Sequence, residues 1–251
     1  MKVIVSDPIS DDGLKIFYDN NIDVVDATNS TIDENYEHIP TANAWVIRSG
    51  TNLDASILSK ADKLAVFGRA GVGIDNIDIS AATRKGVVVM NTPDANTISA
   101  AEHTMALLLS LSRNVSYGHH SILNGNWDRH KFIGSELRAK SLGIIGLGKI
   151  GREVMQRALG FNMKILGFDP FIKKEMFRSD EIELLDLNEL VEKSDFITIH
   201  IPLTNDTKNL FDYKMLNKMK KEARIINVAR GGIINESDLA KVLHEGNIGG
   251  A

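Results

Sequence analysis

The sequence predicts an α/β protein made of two parallel-sheet units, and three observations lead to that prediction. Short β-branched and apolar runs alternate with amphipathic stretches along the 251 residues. A turn-forming cluster, Asn91-Thr92-Pro93-Asp94, interrupts the alternation once. Beyond it, Gly146-Leu147-Gly148-Lys149-Ile150-Gly151 sits where a strand gives way to a helix. The expected division is 1–96 and 97–251.

In the first unit, strands are expected at 3–5, 22–25, 44–47, 64–67 and 87–90, with helical patterning at 11–18 and 79–85. Right-handed crossovers place helices on both faces of such a sheet, so this is a compact parallel α/β layer. A helix then opens at Ser99-Ala100-Ala101-Glu102, which has capping-box spacing. Ile98, Ala101, Met105, Leu108 and Leu109 give it a buried face, and it is expected to span the two units. The polar stretch 117–135, with Gly118, Gly125, Trp127 and Gly134, reads as a long loop that binds something, crosses to a partner subunit, or is plain surface. Strands follow at 142–145, 164–168, 196–199 and 225–228, and helices at 150–159, 187–193 and 236–244, the last capped by Asn235.

Composition narrows the function. With 43% hydrophobic and 25% charged residues the chain can bury a sizeable core. A net charge of −4 gives no electrostatic reason to expect nucleic acid or an acidic membrane surface as partner. No cysteine is present, which removes thiolate metal sites and cysteine nucleophiles and suits a reducing cytoplasm. Nowhere do 18 consecutive apolar residues occur, and MKVIVSDPIS reads as a first strand rather than a signal peptide.

The glycine pattern has a mechanical reason. Gly146 permits the tight turn, Gly148 lets backbone approach a pyrophosphate, Gly151 allows close helix–strand packing, and the helix start offers free N–H groups. Asp169 ends the next strand eighteen residues after Gly151, where an acid would accept from the ribose hydroxyls. NAD is thereby favoured over NADP, while Lys173 and Lys174 keep the phosphorylated cofactor open.

Ligands of open α/β sheets bind beyond the carboxyl ends of strands. Arg48, Arg69 and Arg230 each follow a predicted strand, with Ser49, Gly71, Gly73, Gly231 and Gly232 beside them. One such arginine would be an ordinary surface residue; three at equivalent positions suggest an anionic substrate. Arg129 and Lys131, in the polar stretch, either add charge for a phosphate or keep that stretch soluble.

These residues resemble the D-2-hydroxyacid dehydrogenases, and within them the branch that acts on 3-phosphoglycerate in serine biosynthesis. The resemblance spans the chain and rests on Val46-Ile47-Arg48-Ser49, the run from Gly68 to Asp78, Asn91-Thr92-Pro93, Ser99-Ala100-Ala101-Glu102, the glycine loop, Gly167-Phe168-Asp169-Pro170, and Asn227-Val228-Ala229-Arg230-Gly231-Gly232. It implies a flavodoxin-like substrate domain followed by a Rossmann NAD-binding domain. By that likeness Arg230 is the catalytic arginine that grips the 2-oxo acid. Lys149, Ile150, His200, Ile201, Pro202, Val228 and Ala229 line the cofactor, and Val72 with Gly73 covers the nicotinamide. Arg48, Ser49, Arg69, Gly71 and Arg129 face the substrate, and the partner is a second copy, in a dimer or tetramer paired through the NAD domain. Other 2-hydroxyacids (glycerate or hydroxypyruvate, lactate) and an NAD-sensing module are the alternatives.

The family's proton-moving histidine, its glutamate, and the segment that returns to finish the first domain would lie beyond Gly249-Gly250-Ala251. His103, His119, His120, His130 and His200 match none of these, and read as structural or surface histidines. General acid–base catalysis contributes about 10²–10⁴-fold, so the chain as written is expected to turn over poorly.

Overall fold

The computed structural model describes residues 1–177 and 181–251, apart from the side chain of Lys174, so the reading of Lys174 as a 2′-phosphate partner lies outside the described residues. It separates into two compact units, Met1–Asn96 and Thr97–Ala251.

The first unit runs β1 (Lys2–Val5), α1 (Asp11–Asp19), β2 (Asp23–Asp26), β3 (Ala44–Ile47), α2 (Ala55–Lys60), β4 (Val66–Arg69), α3 (Ile79–Lys85) and β5 (Val88–Asn91). All pairings are parallel and the order is β2-β1-β3-β4-β5, the flavodoxin-like arrangement. Side chains of Ser10, Asp54 and Asp78 cap α1, α2 and α3 by accepting from the N–H groups of Gly13, Ile57 and Ala81. α3 stops at Gly86, whose φ of 73° is the left-handed conformation that costs glycine least. Ile4, Trp45, Ile47, Leu53, Leu58 and Phe67 fill the core.

The second unit runs α4 (Thr97–Arg113), α5 (Val115–Leu123), β6 (Ser141–Ile145), α6 (Lys149–Gly160), β7 (Lys164–Phe168), β8 (Glu183–Leu184), α7 (Leu187–Lys193), β9 (Phe196–Ile199), α8 (Tyr213–Leu216), β10 (Arg224–Asn227) and α9 (Glu236–His244). Its parallel sheet has the order β10-β9-β6-β7-β8, the Rossmann pattern with β6 at the centre. Every residue of β6 is buried, as a strand covered on both faces must be. Leu142 and Ile144 pack with Met105 and Leu108 of α4 and Val154 and Ala158 of α6. Ile145 joins Leu190 of α7 and Val242 of α9 in a second cluster. No helix among the described residues is long and apolar enough to cross a membrane.

Several expectations need correcting. The stretch 117–135 is not one loop: Tyr117, Gly118, His119 and His120 lie on α5, and Arg129–Phe132 forms a 3-10 turn. α5 buries no residue, so no core-facing stripe marked it. α4 begins at Thr97, leaving Ser99 inside the helix rather than at its cap, and the whole helix belongs to the second unit. Arg69 is the last residue of β4 instead of following it, and Val228 lies just past β10.

Candidate functional site

Two groups of residues stand at carboxyl ends of strands, one in each unit. In the second unit the turn from β6 into α6 carries the glycines. Gly146 has φ of 93°, and a Cβ there would come within 2.6 Å of the His200 carbonyl oxygen. A Cβ on Gly151 would strike the Gly146 carbonyl oxygen. Protein packing alone therefore demands glycine at both positions. Gly148 differs: its φ of −69° suits any residue, and a Cβ would meet no protein atom within 4 Å. Space is being kept open on that side of the turn.

α6 starts at Gly148 with no side-chain cap, whereas α7, α8 and α9 are capped by Asp186, Asp212 and Asn235. The positive end of its dipole suits an anion. Asp169, one residue past β7, accepts the Leu147 N–H at 2.9 Å through Oδ2 and the Phe171 N–H at 2.9 Å through Oδ1. The acid is thus tied to the glycine turn, and its remaining lone pairs are available to a sugar hydroxyl. These features fit a dinucleotide: an open amide-lined turn for the diphosphate with a carboxylate beside it.

His200 follows β9, donates its N–H to the Ile145 carbonyl at 2.7 Å, and pairs Nε2 with Thr198 Oγ1 at 2.9 Å. Burial pushes its pKa down to about 4, so it is neutral near pH 7. It backs the glycine turn with its carbonyl, and the Ile201 side chain lies against the same turn. Pro202 accepts from Thr207 Oγ1 at 2.7 Å.

Past β10 the chain folds back on Asn227. Its Oδ1 accepts the Ala229 N–H at 3.0 Å and its Nδ2 donates to the Arg230 carbonyl at 2.8 Å. The Arg230 guanidinium, half-buried, donates to the Ala229 carbonyl at 2.8 Å. Val228, Ala229 and Arg230 therefore form one turn held by a single amide side chain.

In the first unit, β3 and β4 pair with Ile47 opposite Arg69, so Arg48 and Arg69 emerge at the same end of adjacent strands. Arg48 and Ser49 are exposed, and Arg69 is half-buried. A Cβ on Gly71 would run into the Arg69 guanidinium, so Gly71 leaves room for it. Asn91, ending β5, donates to the Val72 carbonyl at 2.7 Å, and Thr92 N–H bonds the Gly71 carbonyl at 3.1 Å. These contacts hold the loop of Gly71, Val72 and Gly73.

The structure thus groups Arg48, Ser49, Arg69, Gly71, Val72 and Gly73 in one unit. It groups Gly146, Gly148, Lys149, Ile150, Gly151, Asp169, His200, Ile201, Val228, Ala229 and Arg230 at strand ends of the other. Arg129 is exposed on the 3-10 turn after α5, and no described hydrogen bond or ion pair joins it to the other candidate residues of its own unit. Sequence reasoning overlooked the residues that hold the loops: Asp7, Asn76, Asn91 and Asn227. Three of these lie inside motifs already singled out.

Comparison with known proteins supports the fold and shows the family. Residues 105–251 match the model of the D-isomer specific 2-hydroxyacid dehydrogenase, NAD binding domain. A D-3-phosphoglycerate dehydrogenase from Methanocaldococcus jannaschii is 47% identical over 249 residues, covering 99% of this chain and 47% of that protein. The chain spans about half the length of the curated relatives it matches. Among solved structures, a protein from Thermus thermophilus superposes with a TM-score of 0.92 at 28% identity, covering 100% of this chain and 80% of the other. The NAD-dependent formate dehydrogenase from Staphylococcus aureus, in complex with NAD, gives 0.88 at 30% identity with the same coverage. The cofactor of such a domain is NAD, and the chain belongs to the D-isomer specific 2-hydroxyacid dehydrogenase family.

Proposed function

We propose that the chain serves the NAD-dependent oxidation of 3-phosphoglycerate to 3-phosphohydroxypyruvate, a step toward serine, with the first unit binding substrate and the second binding NAD. The observation that carries this reading is the pair Arg48 and Arg69 at the ends of adjacent strands. Two guanidiniums at the ends of adjacent strands match a phosphate, which an unphosphorylated 2-hydroxyacid lacks. The identity to relatives named D-3-phosphoglycerate dehydrogenase supports the same substrate. Arg129 would be a further cation for it.

When bound, NAD supplies the acceptor for the hydride leaving C2. The chain's own residues bind and orient: Asp169 selects an unphosphorylated ribose, the α6 N-terminus holds the diphosphate, and Arg230 holds and polarises the oxygens of the 2-oxo acid. The test compares binding of 3-phosphoglycerate and D-glycerate to the NAD-loaded protein. A strong preference for the phosphorylated acid, erased by Arg48→Ala or Arg69→Ala, is expected. Equal affinity for the two acids would move the reading to another 2-hydroxyacid.

The partner we propose is a second copy, meeting through the NAD-binding unit. Tyr117, Leu123, Trp127 and Ile133 are 65%, 71%, 74% and 80% exposed on and after α5, and covering them against a second copy would remove this apolar surface from water. Leu123→Glu with Trp127→Glu should convert the assembly to monomer in sedimentation; an unchanged mass would remove this surface from the interface.

A further inference from the structure

The loop carrying Arg48 is held from two sides. Asp7, just past β1 and 7% exposed, accepts the Arg48 N–H at 2.6 Å and the Thr51 N–H at 3.1 Å, both through Oδ2. Asn76, ahead of α3, donates through Nδ2 to the carbonyls of the same two residues, each at 2.6 Å. The backbone polar groups of positions 48 and 51 are therefore engaged by two side chains, which closes the loop into a ring. Gly50 sits against the carboxylate, and a Cβ there would strike Asp7 Oδ1. Ser6 adds a third fastening, accepting from Trp45 Nε1 and Thr51 Oγ1, each at 2.9 Å.

What Asp7 leaves alone is equally informative. Among the described residues no ion pair joins it to the Arg48 guanidinium, whose Nη1 instead reaches the Pro8 carbonyl at 3.3 Å, a long contact on an exposed side chain. A carboxylate facing that guanidinium would compete with an anionic ligand. Directed at backbone N–H groups, it makes charge-assisted hydrogen bonds and leaves the cation to the ligand.

We propose that Asp7 is a positioning residue for phosphate recognition, acting by holding the loop from which Arg48 and Ser49 project. This rests on the reading of Arg48 as a substrate contact. Pre-set loop geometry matters because a group already held in its binding conformation loses less conformational freedom when the ligand arrives.

The test measures 3-phosphoglycerate binding by calorimetry on the full chain loaded with NAD, using Asp7→Ala, Asp7→Asn, Arg48→Ala and the Arg48→Ala/Asp7→Ala double variant. Asp7→Ala should weaken 3-phosphoglycerate up to about tenfold while NAD affinity stays constant. Asp7→Asn keeps an acceptor oxygen and should restore most of the affinity, which also guards against a merely misfolded alanine variant. In the Arg48→Ala background, Asp7→Ala should have no further effect, because its action passes through Arg48. Wild-type affinity in Asp7→Ala, failure of Asp7→Asn to rescue, or an undiminished effect in the Arg48→Ala background would each overturn the proposal. If Arg48→Ala alone binds 3-phosphoglycerate like the parent, the substrate assignment of Arg48 falls first, and that result is separate from the other three.

Discussion

The Oδ2 of Asp169 accepts the Leu147 N–H at 2.9 Å, so the acid proposed to meet the ribose also braces the turn proposed to meet the diphosphate. One substitution should therefore damage both contacts. Asp169→Ala removes a charge-assisted hydrogen bond, with a net contribution of about 1.5–3 kcal/mol, and should weaken NAD by roughly 10- to 100-fold. Loss of the negative charge should at the same time narrow the gap between NAD and NADP. Titration with both dinucleotides measures this, and unchanged discrimination would show that selectivity resides elsewhere.

Two glycines of the turn, Gly146 and Gly148, should separate by experiment. Gly146→Ala places a Cβ against the His200 carbonyl and forces a φ of 93° on an L-residue, so stability should fall by about 1–3 kcal/mol. Gly148→Ala meets no protein atom and keeps an ordinary backbone, so stability should stay within about 0.5 kcal/mol. NAD binding should nevertheless drop at least tenfold in Gly148→Ala, because the open space is the one proposed for the diphosphate. Thermal unfolding and NAD titration of the two variants decide it; a destabilised Gly148→Ala would refute the division of roles.

Asn227 offers a test of Arg230 that leaves the guanidinium in place. Asn227→Asp retains the acceptor for the Ala229 N–H but cannot donate to the Arg230 carbonyl, and its charge repels that oxygen. The turn should open and substrate affinity should fall by about tenfold, consistent with misplacement of a binding group. Asn227→Ala should do less than Arg230→Ala, which deletes the proposed contact itself. Equal substrate affinities for parent and Asn227→Asp would show that the turn does not control Arg230.

The fold was legible because strands buried on both faces, such as β6, must be continuously apolar, and because the 3.6-residue period of α4 and α6 shows where their cores lie. α5 escaped notice for the opposite reason: it buries nothing, and its apolar side chains point to solvent, so no burial pattern was written into it. Candidate site residues stood out where chemistry restricts identity, as at Gly146, Asp169 and Arg230. Asp7 and Asn76 did not, since their partners are backbone groups about 25 to 44 positions away, and only the folded chain brings such groups together. The signal available was modest: Ser6-Asp7-Pro8 marked a turn at a strand end, and Asn76 sat within a glycine-rich motif.

His200 should make the protein acid-sensitive in a defined window. Burial lowers its pKa from 6.5 to about 4, so between those values the unfolded chain binds a proton that the folded chain refuses. The stability contributed by keeping the ring neutral is complete above about pH 6.5, declines as pH falls, and levels off below about pH 4. Its full extent is about 3 kcal/mol. Thr198, wholly buried, holds the ring through Oγ1 and cannot turn to water when the ring charges. Because the His200 carbonyl also backs Gly146, opening at this position should release the glycine turn and lower NAD affinity over the same range. His200→Asn cannot take up the proton, so its unfolding free energy, measured with denaturant at pH 7.5 and 4.5, should fall less between the two than that of the parent. Parallel losses in the two proteins would assign the acid sensitivity to other groups.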